Sequence, residues 1–190
     1  MDDILSLKYL NQLKALIDIF PHERFEEICQ TLLSAYHQGK QVFIMGNGGS
    51  GSTASHFVCD INKGSCSKLR KRFKVICLND NIPIILAYAN DLSYDKIFVE
   101  QLKNYLNEGD IVIGISGSGN SENVLQAVSY AKGKGARTIG LTGFDGGKLA
   151  KIVDIPFIAV INDMQKVEDL HIIAVHMLMQ FLCNALHTKE

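Results

Sequence analysis

The chain has 190 residues, with 19 basic and 20 acidic side chains giving a net charge of −1, and 47% of it is hydrophobic. That length suits one domain with enough apolar material for a sizeable core, and near-neutrality excludes the broad electrostatic attraction that nucleic acid or an anionic lipid surface requires. The five cysteines, Cys29, Cys59, Cys66, Cys77 and Cys183, form no CxxC pair, so neither a zinc knuckle nor a redox motif is expected; the thiols are read as reduced and Cys59 as a small buried packing residue.

Residues 4–38 carry helical periodicity in two pieces, Ile4 to about Phe20 and Glu23 to about Gln38, broken at Pro21 and ended by Gly39. This predicts a helical hairpin. From residue 41 the pattern becomes strand, turn, helix: Val42–Met45 then Ser52–Asn62, and Phe73–Leu78 then Ile82–Ala89 and Tyr94–Leu106. Ile111–Ile115 precedes a helix near Glu122–Lys132, Thr138–Leu141 one near Gly147–Ile152, and Ile155–Ala159 a long final helix from about Lys166 to Leu186. Five apolar runs alternating with helices predict an α/β fold, a doubly wound five-stranded parallel sheet flanked by helices, with an N-terminal helical hairpin. One domain over residues 1–190 is expected, 1–39 forming the hairpin and 40–190 the α/β core. The N-terminus does not resemble a signal peptide and no apolar run approaches 18 residues, so a cytoplasmic chain without membrane or nucleic-acid partners is expected. The basic cluster Lys68, Arg70, Lys71, Arg72 and Lys74 is read as a solvated connector.

Two turns dense in glycine and hydroxyls, Gly46-Asn47-Gly48-Gly49-Ser50-Gly51-Ser52 and Ser116-Gly117-Ser118-Gly119-Asn120-Ser121, each link an apolar strand to a helix. Such a turn aims backbone N–H groups, hydroxyls and the positive end of a helix dipole at one spot, which suits a phosphate. A third turn, Thr142-Gly143-Phe144-Asp145-Gly146-Gly147, ends the next strand and should line the same rim. No Gly-Lys-Ser or Gly-Lys-Thr follows a strand, so triphosphate hydrolysis lacks its lysine. Gly46 to Gly51 satisfies GxGxxG, but its candidate ribose acid, Asp80, arrives about ten residues late for a dinucleotide site. Short hydroxyls suit a phosphate monoester instead.

Together the Gly46-to-Ser50 turn, Gly114-Ile115-Ser116-Gly117-Ser118-Gly119-Asn120-Ser121 and Leu141-Thr142-Gly143-Phe144-Asp145-Gly146-Gly147 resemble a sugar isomerase (SIS) domain. The likeness is to its sedoheptulose-7-phosphate isomerase branch and extends over nearly the whole chain. It implies that Ser50, Ser116, Ser118 and Ser121 hold the substrate phosphate, with Asn47, Gly48, Gly49 and Gly117 around them. The segment Asn90-Asp91, read as lying at the second strand's end, is expected to add contacts to the sugar.

His56 and Asp60 lie four residues apart on one predicted helix and share a face, so they can converge on one ion. Glu168, His171 and His176 are polar residues in an otherwise apolar final helix and need partners there. The resemblance implies a divalent metal, usually zinc, held by His56, Asp60, Glu168 and His176, with Asp60 and Glu168 departing from the family's glutamate and glutamine. It also implies a tetramer. Glu168 and His176 are separated by about 12 Å of helical rise, too far to share one ion, so the site is expected to be completed by an adjoining protomer, with the hairpin and the final helix packing between subunits.

By the same resemblance the chain converts sedoheptulose 7-phosphate to D-glycero-D-manno-heptose 7-phosphate through an enediolate. Asp60 and His176 would be the catalytic groups, and Asp60 and Glu168 would also touch substrate. Lys63 stands where relatives often carry an arginine, and Gln165 where they often carry an acid. The alternative is a non-enzymatic SIS protein that binds the replication initiator or senses sugar phosphates.

Overall fold

The computed structural model describes residues 4–65, 67 and 69–187; Cys66 and Lys68 lie outside the described residues. Two helices open the chain, α1 (Leu5–Asp18) and α2 (His22–Gln38), and the α/β pattern follows. Its elements are β1 (Gln41–Gly46), α3 (Gly49–Cys59), β2 (Lys74–Cys77), α4 (Ile82–Asp91), α5 (Val99–Tyr105), β3 (Ile111–Ser116), α6 (Glu122–Gly133), β4 (Arg137–Gly143), α7 (Leu149–Ile152), β5 (Ile155–Ala159) and α8 (Met164–His187). The strands form one sheet in the order β2-β1-β3-β4-β5, each pair parallel, with Val42 opposite Ile111 and Val112 opposite Thr138. The sheet is doubly wound, as expected.

Strands buried on both faces must be apolar at every position, which is why β1 and β3 stand out as continuous runs. On one face, Ile44, Ile113, Ile139 and Phe157 pack against Ile28 and Leu32 of α2, Phe57 of α3, and Leu170, Val175 and Leu178 of α8. On the other, Phe43, Met45 and Val112 meet Phe98, Leu102, Val124, Val128 and Leu149. By length and composition α8 could cross a membrane, with a mean hydropathy of 1.4 over its most apolar window. Burial of Val167, Leu170, Ala174, Val175, Leu178, Leu182 and Leu186 in this core accounts for part of that apolar character. At its start, Tyr9 of α1 donates to Asp169 at 2.5 Å, a bond that pushes the phenol up to about 12. Lys166, buried, pairs with Asp163 and lies over the Tyr9 ring.

Two helices differ from expectation. The helix predicted over Ser52–Asn62 starts earlier, at Gly49, and changes at Asp60 into a π-helical segment, Asp60–Ser65. The single helix expected over Tyr94–Leu106 is instead a 3-10 turn, Tyr94–Lys96, followed by α5; Gln101 Nε2 donates to the carbonyls of Ile97 and Leu78 there, tying the junction to the end of β2. The basic connector is exposed at Arg70, Lys71, Arg72 and Lys74, and Lys71 donates to His37 O.

His171, a buried α8 residue, donates from Nε2 to Thr142 O at the end of β4 (2.9 Å), while its Nδ1 has no partner among the described residues. Burial pushes this imidazole down to about 4. The unfolded chain therefore binds the proton first, so His171 contributes stability that is complete above about pH 6.5 and is lost as pH falls toward 4, on the order of 3 kcal/mol. In urea titrations over this range, His171→Gln, which keeps a donor for Thr142 O but cannot titrate, is expected to flatten the slope.

Candidate active site

Strand order reverses between β1 and β3, and in a doubly wound sheet ligands bind beyond the carboxyl ends of the strands at that point. Both main glycine turns are there. In the turn after β3, Ser116 Oγ and Ser121 Oγ lie 3.0 Å apart, and Asn120 N donates to Ser118 Oγ at 3.2 Å. Ser121 is the N-cap residue of α6, yet its side chain makes no capping bond. Its hydroxyl faces Ser116 instead, an arrangement that suits an anion at a helix start.

The turn after β4 braces that cradle. Gly143 N donates to Gly117 O (2.8 Å) and Leu149 N to Gly119 O (2.9 Å), while Lys148 N donates to Asn120 Oδ1 (3.3 Å). The approach is so close that a Cβ on Gly147, at φ 56°, would lie 2.5 Å from Ser118 O, and one on Gly119, at φ 66°, would overlap Gly146 O.

Across the gap, the turn after β1 is held by Asn79, whose Oδ1 accepts from Gly46 N (3.2 Å) and whose Nδ2 donates to Gly46 O (2.7 Å). Helix α3 starts at Gly49, and the Glu168 carboxylate lies over it: a Cβ there would sit 2.5 Å from either carboxylate oxygen. A cavity of about 300 Å³ separates the two turns, lined by Asn47, Gly48, Gly49, Ser50, Ser116, Gly117, Ser118, Ser121 and Glu168. Nine residues expected around the phosphate and sugar are thus neighbours in one space. Asn47 is further joined to Asn123 of α6 by two bonds of 2.9 Å and accepts from the Tyr94 hydroxyl at 2.9 Å. Asn79, Asn123 and Tyr94 were not singled out in the sequence; the one available signal was a polar Asn123 entering the apolar repeat of α6.

About 10 Å along α3 from Gly49, His56 meets His176 of α8, Nε2 to Nε2, at 2.9 Å, and Asp60 Oδ2 lies 3.3 Å from His56 Nε2. Ligand atoms of the three fall within 4.8 Å of one another. One chain therefore brings His56, Asp60 and His176 together by itself. Glu168 does not join them. It faces the cavity two turns earlier on α8, because a continuous helix cannot bring residues eight apart to one ion.

Asn90 and Asp91 are exposed at the end of α4 and bonded to each other (2.8 Å), on a helix rather than at a strand end. Lys63 and Gln165 are exposed, and so is Cys59, which corrects its expected burial: on α3 it points away from the face that Phe57 and Ala54 bury.

Residues 8–143 match the SIS domain family. Over 164 residues, 86% of this chain and 85% of the relative, the sequence is 36% identical to a phosphoheptose isomerase of Citrifermentans bemidjiense. Among solved structures, a phosphoheptose isomerase of Francisella tularensis superposes with a TM-score of 0.86 at 28% identity, covering 95% of this chain and 100% of that one. That of Neisseria gonorrhoeae gives 0.85 at 25% identity, covering 93% and 94%.

Alanine at position 49 suits the first turn of a helix but would occupy the space of the Glu168 carboxylate. Gly49→Ala is therefore expected to keep its melting temperature and to weaken ligand binding about tenfold, by roughly one charged hydrogen bond. Calorimetry with a sugar phosphate beside a thermal melt checks both halves.

Proposed function

The chain belongs to the SIS domain family, in its phosphoheptose isomerase branch of aldose–ketose isomerases, and from that premise we propose how its own residues work on sedoheptulose 7-phosphate. The observation that carries the proposal is the placement of the hydroxyl cradle and the His56–Asp60–His176 cluster at two ends of one helix pair, α3 and α8. About 10–12 Å of helical rise separates them. That span suits an extended seven-carbon sugar phosphate, with the phosphoryl group in the cradle and the reactive C1–C2 end at the cluster.

Ser116, Ser118, Ser121 and the start of α6 bind the phosphoryl oxygens, with Ser50 approaching from the β1 turn. Glu168 and Asn47 orient sugar oxygens between the two ends, and Asn90 and Asp91 contribute from the rim. Two imidazole nitrogens and a carboxylate oxygen within 4.8 Å of one another fit a divalent cation of zinc's preferences, so His56, Asp60 and His176 would hold it. When bound, such a cation polarises the substrate carbonyl and stabilises negative charge on its oxygen. Asp60 takes the proton from C1 and returns it at C2, while His176 exchanges a proton with the oxygens. The product is D-glycero-D-manno-heptose 7-phosphate, the entry to nucleotide-activated heptose synthesis, made in the cytoplasm.

A tetramer completes the proposal. Helix α1 buries only Leu16 of its own residues and exposes Ile4 just before it, then Leu5, Leu7, Leu10 and Ile17, followed by Ile19. An apolar surface of that extent on the hairpin calls for a subunit partner.

Asp60→Asn is expected to lower kcat by about 100-fold or more, the contribution of one acid–base group, with the melting temperature unchanged. Undiminished turnover would remove Asp60 from the reaction. Metal analysis of the purified protein is expected to find a divalent cation that His176→Ala loses; equal metal content in the two would remove the cluster as its holder.

A further inference from the structure

Asn47 stands at the cavity with an amide that can present either an acceptor or a donor, and its surroundings decide which. Asn123, almost wholly buried at 2% exposed, accepts the N–H of Val124 at its Oδ1 (2.9 Å). An N–H can only donate, so the Asn123 amide has one orientation. Its Nδ2 then donates to Asn47 Oδ1, and its Oδ1 accepts from Asn47 Nδ2, each at 2.9 Å. The Tyr94 hydroxyl adds a second donor to Asn47 Oδ1, also at 2.9 Å. Both lone pairs of that oxygen are now used. What remains is the second N–H of Nδ2, which has no acceptor among the described residues, on a side chain that lines the cavity.

We infer that Asn123 and Tyr94 are positioning residues that fix Asn47 as a donor toward an oxygen of the bound sugar phosphate. The inference rests on the isomerase assignment for the identity of that ligand. The direction of the bonding runs from a backbone N–H of α6 through two side chains to the opposite turn, so the cradle at β3 and the turn at β1 share one orientation of the donor. Tyr94, more than half exposed, belongs to the short 3-10 turn after α4 and closes the chain of bonds from the rim. Neither residue lines the cavity itself, so each acts through Asn47.

The test is a double-mutant cycle between Tyr94→Phe and Asn47→Ala, read as the dissociation constant for sedoheptulose 7-phosphate by calorimetry, with turnover measured alongside. Asn47→Ala removes the donor and is expected to weaken binding about tenfold, and Tyr94→Phe about threefold, as neutral hydrogen bonds of this kind contribute. In the Asn47→Ala background Tyr94→Phe is expected to cost nothing further, because its only route to the ligand is gone. Losses that multiply would overturn the inference. Asn123→Ala, run through the same cycle, is expected to behave like Tyr94→Phe, and because that residue is buried, the exposed Tyr94→Phe keeps the test decisive should Asn123→Ala fold poorly. Tight binding of the sugar phosphate by a wild-type protein without turnover would overturn the isomerase assignment and leave the donor network standing.

Discussion

Everything at the site depends on α8 lying along α3 in one register. Glu168 covers Gly49 at one end of the pair, and His176 meets His56 at the other. Seven residues on α3 and eight on α8 span nearly the same length, since both rise about 1.5 Å per residue, so the two contacts can be satisfied together only by closely aligned helices. The apolar face of α8 enforces the alignment: Leu170, Ala174, Val175 and Leu178 are buried against the sheet and its neighbouring helices, and sliding by a turn would expose them. Burial of ordinary hydrophobic side chains, each contributing about 1.5–3 kcal/mol, thereby sets the spacing between the cavity at the glycine turns and the His56–Asp60–His176 cluster. His171 adds a polar fix to the same register through Thr142 O.

Sheet topology supplies the second half of the arrangement. With β1 and β3 adjacent and their helices on opposite faces, the turns after them diverge and leave a gap that the backbone cannot fill. Polar side chains then do the joining across that gap. Asn79 clamps one turn to the end of β2, and the Asn47–Asn123 amide pair links residues 76 apart in sequence. These bonds are half buried, where a missing partner costs more than the bond itself contributes, so the turns have little freedom to drift.

Much of this was legible in the chain because it is written locally. Strands buried on two faces are continuous apolar runs, glycine turns interrupt them, and His56 and Asp60 share a helical face by spacing alone. What escaped was non-local. Nothing in Asp60-Ile61-Asn62-Lys63-Gly64-Ser65 announces a π-helical segment, which lies against α8 with Ser65 Oγ donating to Met179 O. The pairing of His56 with His176, 120 residues apart, required knowing how α8 sits. One helix does not bring Glu168 and His176 to the same point, as their spacing foretold, and Glu168 lies instead at the Gly49 end of the helix pair. The exposure of Cys59 was missed because small residues on a core helix are more often buried.

The interlocked glycines of the β3 and β4 turns carry an evolutionary consequence. Gly119 and Gly147 each occupy space that a methyl group would take from the opposite loop's backbone, so a change in either turn is tolerated only with a compensating change in the other. Such epistasis freezes the two turns as a single heritable block. Divergence toward sugars of other lengths would have to accumulate elsewhere, along the stretch of α3 and α8 between Glu168 and His176, where side chains can vary without disturbing backbone against backbone.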